Sequence, residues 1–179
     1  MAQEDPNRAG NGSDGNGNEP QAATLAQYIK DLSVESPSAP QVYQWQEQAS
    51  VDINFNLNVD RASEDVHEVA LKIEVKAQSQ NGIHFLVDLT YAGIFGLRNF
   101  PQEATAPFLL IEAPRLLFPF ARQIIAESVQ NMGFPPLLLE PIDFGAAYLA
   151  QLQAQQQQQG ESGSTGELED ATGESSGEA

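Results

Sequence analysis

The sequence predicts an α+β fold, a four-stranded antiparallel sheet followed by two main C-terminal helices, and three observations carry that prediction. Three segments between Ser50 and Tyr91 alternate apolar and polar residues with a period of two, the mark of strands with one apolar face. An Asn-Gly pair separates the last two, a strong hairpin signal. After the third segment the apolar period lengthens to 3.6, which places helices after the strands rather than between them.

The first strand is the weakest: Tyr28, Leu32 and Val34 share one side, Asp31, Ser33 and Glu35 the other, and Pro37 and Pro40 end it. Pro37 to Ser50 is then a long connection carrying Val42, Tyr43 and Trp45. Those side chains either cover a sheet edge or offer a ligand adaptable contact area. In SVDINFNLNVD, Val51, Ile53, Phe55, Leu57 and Val59 oppose Asp52, Asn54, Asn56, Asn58 and Asp60. Val69, Leu71, Ile73 and Val75 repeat the pattern, and Ile83, Phe85, Val87, Leu89 and Tyr91 repeat it after a Gln80-Asn81-Gly82 turn. Leu117, Phe120, Ala121, Ile124, Ile125, Val129 and Met132 form a helical stripe with Gly133 at the left-handed cap position. An interior proline costs about 3 kcal/mol, so Pro114 and Pro119 are expected at or before the first turn, and Phe108 to Ala113 is expected as a separate turn or short helix. A last helix is expected from Asp143, a good N-cap, through Ala147, Tyr148 and Leu152 into the glutamines.

The ends have different physics. Residues 1–24, rich in Gly and Asn without apolar periodicity, read as a disordered leader. Residues 25–152 form one domain. Residues 153–179, a glutamine run followed by GESGSTGELEDATGESSGEA, read as a disordered, self-repelling tail.

The chain holds 8 Lys or Arg against 25 Asp or Glu, a formal charge of −17. Such a chain is repelled by nucleic acid and by anionic membrane surfaces. It has no cysteine, hence no disulfide or thiolate chemistry. The N-terminus lacks the pattern of a secretory signal, and Glu112, Arg115 and Arg122 interrupt the most apolar stretch, so neither export nor membrane insertion is expected, and the cytosol is the expected compartment.

Gly10 to Gly15 matches a dinucleotide-binding glycine pattern without the strand and helix that give it function. There is no phosphate-cradling GxxxxGK[ST] and no HExxH, so no nucleotide, metal or other cofactor is expected. His67 and His84 fall within strands and read as ordinary strand histidines, and Glu64-Asp65 reads as a charged turn.

Taken in order, Tyr28 to Pro40 (YIKDLSVESPSAP), Gly93-Ile94-Phe95, Leu117 to Arg122 (LFPFAR), Gly133 to Leu137 (GFPPL) and Pro141 to Phe144 (PIDF) resemble the SecB family of secretion chaperones, over about residues 25–153. The resemblance implies a homotetramer, a dimer of dimers with the long helix between sheets, without nucleotide site or catalysis. It implies that non-native preproteins bind in hydrophobic grooves and that an acidic sheet surface and a C-terminal contact dock on the SecA translocation ATPase, whose tail is basic. Carried over by position, Asp31, Glu35, Leu86 and Asp88 correspond to the SecA-docking surface. Val87, Leu89 and Tyr91 match positions tied to subunit assembly. The client groove is expected from Val42, Tyr43, Ile53, Phe55, Leu57, Phe85, Phe95 and Tyr148, whereas Trp45 does not fall where the family's crossover tryptophan falls. Two other readings remain: a SecB-like chaperone dedicated to an antitoxin, and a small α+β enzyme with a His-Asp pair in a closed pocket around His67 or His84.

Overall fold

A computed structural model of the chain describes residues 19–162, so most of the leader and the acidic part of the tail, 1–18 and 163–179, lie outside the described residues. The strands are β1 (Gln21–Glu35), β2 (Ser50–Ser63), β3 (Val66–Ser79) and β4 (Gly82–Arg98), in one antiparallel sheet ordered β1-β4-β3-β2. β1 starts at Gln21, so residues 21–24 are strand rather than leader: they pair with the long end of β4, Gln21 opposite Arg98 and Ala23 opposite Gly96. β2 and β3 meet at the expected Glu64-Asp65 turn, and β3 and β4 at Gln80-Asn81 with Gly82 at φ 141.

Facing residues in an antiparallel ladder lie on the same side of the sheet. One side therefore carries Val51, Ile53, Phe55, Leu57 and Val59 of β2, Val69 to Ala77 of β3, Phe85 to Leu97 of β4, and Leu32 and Val34 of β1, taking alternate residues. A bulge in β1 between Ile29 and Asp31 changes the parity, so that Tyr28 shares a side with Asp31 and Glu35 rather than with Leu32 and Val34. The even spacing of Tyr28, Leu32 and Val34 misled because one extra residue, Lys30, intervenes.

The helical run begins earlier than expected. It comprises α1 (Gln102–Pro107), a π-helical turn over Phe108–Glu112 and α2 (Ala113–Asn131), a continuous 30 residues. Pro114 stands in the first turn of α2 as expected, but Pro119 lies inside α2 and Pro107 inside α1. Each of these two removes one amide donor, and between α1 and α2 the run widens into the π turn closed by the Ala113 N–H on the Phe108 carbonyl. The local penalty is outweighed by burial of Leu117, Ala121, Ile125 and Val129, all at most 1% exposed, against the sheet. Each of the Leu, Ile and Val side chains contributes about 1.5–3 kcal/mol. Phe120 of the expected stripe is instead 49% exposed. By length and composition this run is apolar enough to cross a membrane, yet it packs on β4 and β3 of its own chain.

Two glycines make the packing possible. A Cβ on Gly93 would lie 2.8 Å from Leu117 and 2.9 Å from the Phe95 ring, so its absence lets α2 approach β4. Gly133, at φ 87, ends α2 as the pattern predicted: its N–H reaches the Gln130 carbonyl and the Phe134 N–H the Val129 carbonyl, the two bonds of a Schellman cap. The described residues from Glu140 on form a second unit containing α3 (Phe144–Ser162), capped by the Asp143 carboxylate on the Ala146 N–H at 2.9 Å. The helix runs into the glutamines as expected and on to Ser162, so residues 153–162 are helical rather than part of a disordered tail.

Candidate functional site

The long connection after β1 is organised. After Pro37–Pro40 it forms a 3-10 turn, Gln41–Gln44, that buries Val42 to 3% exposure and leaves Tyr43 at 54%. The Tyr43 hydroxyl donates to the Met132 carbonyl at 2.6 Å and its ring lies 5.6 Å from Phe134, so the loop is fastened to the end of α2. Trp45 stands edge-on to His84 at 5.0 Å and passes over Gly82, where a Cβ would come within 3.2 Å of it. His84 lies 3.0 Å from the Ser79 hydroxyl through Nε2.

These groups enclose an open cleft of about 630 Å³, lined by Val42, Tyr43, Trp45, Val51, His84, Phe85 and the Phe134–Leu137 segment, with Glu47 and Gln48 at one side. Val51 begins the apolar row of β2. Ile53 and Phe55, 42% and 49% exposed, carry it onward beside the half-buried Leu57, because α2 covers β4 and β3 but not this outer strand. The result is a cleft continued by an apolar strip, a shape suited to an extended chain rather than to a small molecule.

The structure sorts the expected groove residues. Val42, Tyr43 and Phe85 line the cleft, and Ile53, Phe55 and Leu57 the strip. Phe95 does not belong: it is 0% exposed, edge-on to Phe108 at 6.0 Å in the core. Tyr148 lies on α3, in the second unit. Trp45, Val51 and Phe134 to Leu137 were not assigned from sequence. The signal for the last was the Gly133 cap, whose next residue, Phe134, is apolar and lies against Tyr43, His84 and Phe85. Val87, Leu89 and Tyr91 are at most 8% exposed within this chain, and Tyr91 stacks on Phe120 at 6.2 Å. They are core residues beneath α2 and offer another copy no free surface. His84 lines an open cleft rather than the closed pocket an enzyme reading requires, and no three metal-ligating side chains converge among the described residues.

The side of the sheet opposite α2 is polar. Three rows cross it: Glu35, Leu86, Lys76 and Asp52; Ser33, Asp88, Glu74 and Asn54; Asp31, Thr90, Lys72 and Asn56. Asp31, Glu35, Leu86 and Asp88, from two strands distant in sequence, thereby fall side by side. Lys72 bridges Glu74 at 2.9 Å and Asp88 at 3.1 Å, and these contacts hold its ammonium above its usual range. The second Asp88 oxygen, Oδ1, is buried without a hydrogen-bond partner among the described residues. A shallow hollow of about 300 Å³ opens between Ser33, Glu35, Asp52, Glu74 and Asp88.

The structure thus combines an antiparallel sheet with one side packed under a helix, an aromatic cleft leading to an exposed apolar strip, and a polar opposite side rich in carboxylates. The family model described as "Preprotein translocase subunit SecB" matches residues 15–156, and the chain belongs to the SecB family. It is 56% identical over 136 residues to the protein-export protein SecB of Rhizorhabdus wittichii, covering 76% of this chain and 82% of that one. It is 48% identical over 163 residues to the SecB of Erythrobacter litoralis, covering 90% of each. Among solved structures, a Mycobacterium tuberculosis SecB-like chaperone in complex with an antitoxin peptide shares the fold, with a TM-score of 0.56 at 19% identity over 68% of this chain and 90% of that one. The chain is an export chaperone.

Proposed function

We propose that this chaperone holds non-native preproteins against the cleft and the β2 strip, without catalysis or nucleotide, and passes them to the SecA translocation ATPase through the polar side of its sheet. The juxtaposition of Asp31, Glu35, Leu86 and Asp88 on one sheet side is the observation that carries the SecA assignment. The cleft and the docking side face away from each other, so a loaded chaperone keeps its acids available. Fast-folding chains bury their apolar segments before capture, and slowly folding ones remain bound, so selection is kinetic. Assembly as a homotetramer in the cytosol belongs to the same reading; Leu116 and Phe120, 48% and 49% exposed on α2, are the surface that supports it. The relatives named for protein export favour this role over service to an antitoxin.

The test is Asp31→Lys, measured for SecA affinity and for holding of an unfolded polypeptide. A loss of SecA affinity on the order of tenfold with unchanged holding is expected. Intact SecA affinity with intact holding would remove the docking assignment.

A further inference from the structure

The bulge in β1 decides which side of the sheet receives the acids. Ile29 faces Tyr91 and Asp31 faces Thr90, so Lys30 has no place in the ladder. If Lys30 were taken into the ladder, every residue from Asp31 to Glu35 would change sides: the acids would turn toward α2, and Leu32 and Val34 toward the polar side. Burial specifies this register weakly, because Leu32 and Val34 on the edge strand remain 40% and 38% exposed in the observed arrangement. Something else must hold it.

Lys30, which forms the bulge, and Tyr28, two residues before it, both reach the same partner. The Tyr28 hydroxyl donates to Glu68 Oε1 and the Lys30 ammonium sits 2.6 Å from Glu68 Oε2. Glu68 belongs to β3, so both arms cross over β4. The arms pass beside Ala92, the direct partner of Tyr28, and its neighbour Ala70, which are 0% and 7% exposed, and reach Glu68 opposite Ile94 of β4. The Glu68 side chain is only 15% exposed, against 46% for Lys30. Its acceptance of the phenol pushes the Tyr28 pKa up to about 12, and the Lys30 and Tyr28 donors hold Glu68 below the usual carboxylate range.

We propose that Glu68, clamping Tyr28 and Lys30 across β4, is a positioning residue that fixes the bulge and thereby presents Asp31 and Glu35 on the docking side of the sheet. The functional half of this inference rests on the reading of that side as the SecA surface; the structural half does not. Glu68 lies on the far side of the sheet from the cleft, so client holding is independent of it.

The experiment uses the full chain, which has no native cysteine. Ser33 and Asp88 are direct partners, so an S33C/D88C disulfide reports the register. Adding Glu68→Ala is expected to lower the Tyr28 titration toward that of a free phenol, to reduce disulfide yield several-fold, and, in the chain retaining Ser33 and Asp88, to weaken SecA binding about tenfold with client holding unchanged. Glu68→Gln, which keeps an acceptor for Tyr28 and loses the charge opposite Lys30, is expected between. A fall in the Tyr28 titration with undiminished disulfide yield overturns the clamp, whatever SecA does. Reduced yield with intact SecA affinity upholds the clamp and overturns the docking reading instead.

Discussion

Tyr28 is the residue whose chemistry is most displaced by the fold, and its direction fixes a pH window. Its phenol and the Lys30 ammonium both titrate higher in the folded chain, so their contribution is complete below the unfolded values of 10.0 and 10.5 and is lost as the pH rises through the folded ones, about 12 for the phenol. Glu68 titrates lower, so its contribution is present above 4.5 and is lost as the pH falls through its depressed value. Ultraviolet titration of the tyrosines in Tyr28→Phe against the parent chain is expected to remove one phenol titrating near 12. Phe95 makes the complementary point. As a core residue it predicts a stability loss of about 3–5 kcal/mol in Phe95→Ala, read by denaturant unfolding. Tyr43→Ala, at a half-exposed cleft wall, is expected to weaken client binding with a smaller loss of stability.

The elements differ in how plainly the sequence announced them. β2, β3 and β4 were legible because alternation over many residues has few alternative readings, and Gly133 because a left-handed cap after an apolar stripe favours glycine. Pro114 stands in the first turn of α2 as expected, whereas Pro107 and Pro119 hid the earlier start and the continuity of the helical run, since tertiary burial overrode a local penalty. The β1 bulge was hidden because Lys30 looks like any strand residue; only its distant partner Glu68 distinguishes it. Phe95 was misassigned because alternation reveals a face but not whether a helix covers it. Gly93 and Gly133 give the direct tests of the packing. Gly93→Val is expected to cost about 1–3 kcal/mol by pushing Leu117 and Phe95 apart, and Gly133→Ala about 1–2 kcal/mol through left-handed strain, both measured by thermal or denaturant unfolding.

For the whole molecule, the apolar strip and the carboxylates lie on opposite sides of one sheet, an arrangement under which the proposed holding and delivery would not compete for surface. The formal charge of −17 adds a long-range component: association with a basic SecA segment is expected to slow markedly between low and physiological salt, whereas client holding, driven by apolar burial, is expected to change little. Stopped-flow association rates across a salt series would separate the two. The central claim, that this chain holds unfolded polypeptides as an assembled chaperone, is tested most directly by light scattering on a size-exclusion column, with and without a permanently unfolded polypeptide. The expected result is a tetramer of 19.4 kDa chains that co-elutes with the unfolded polypeptide and not with its folded form. A monomer that retains neither form would contradict the account.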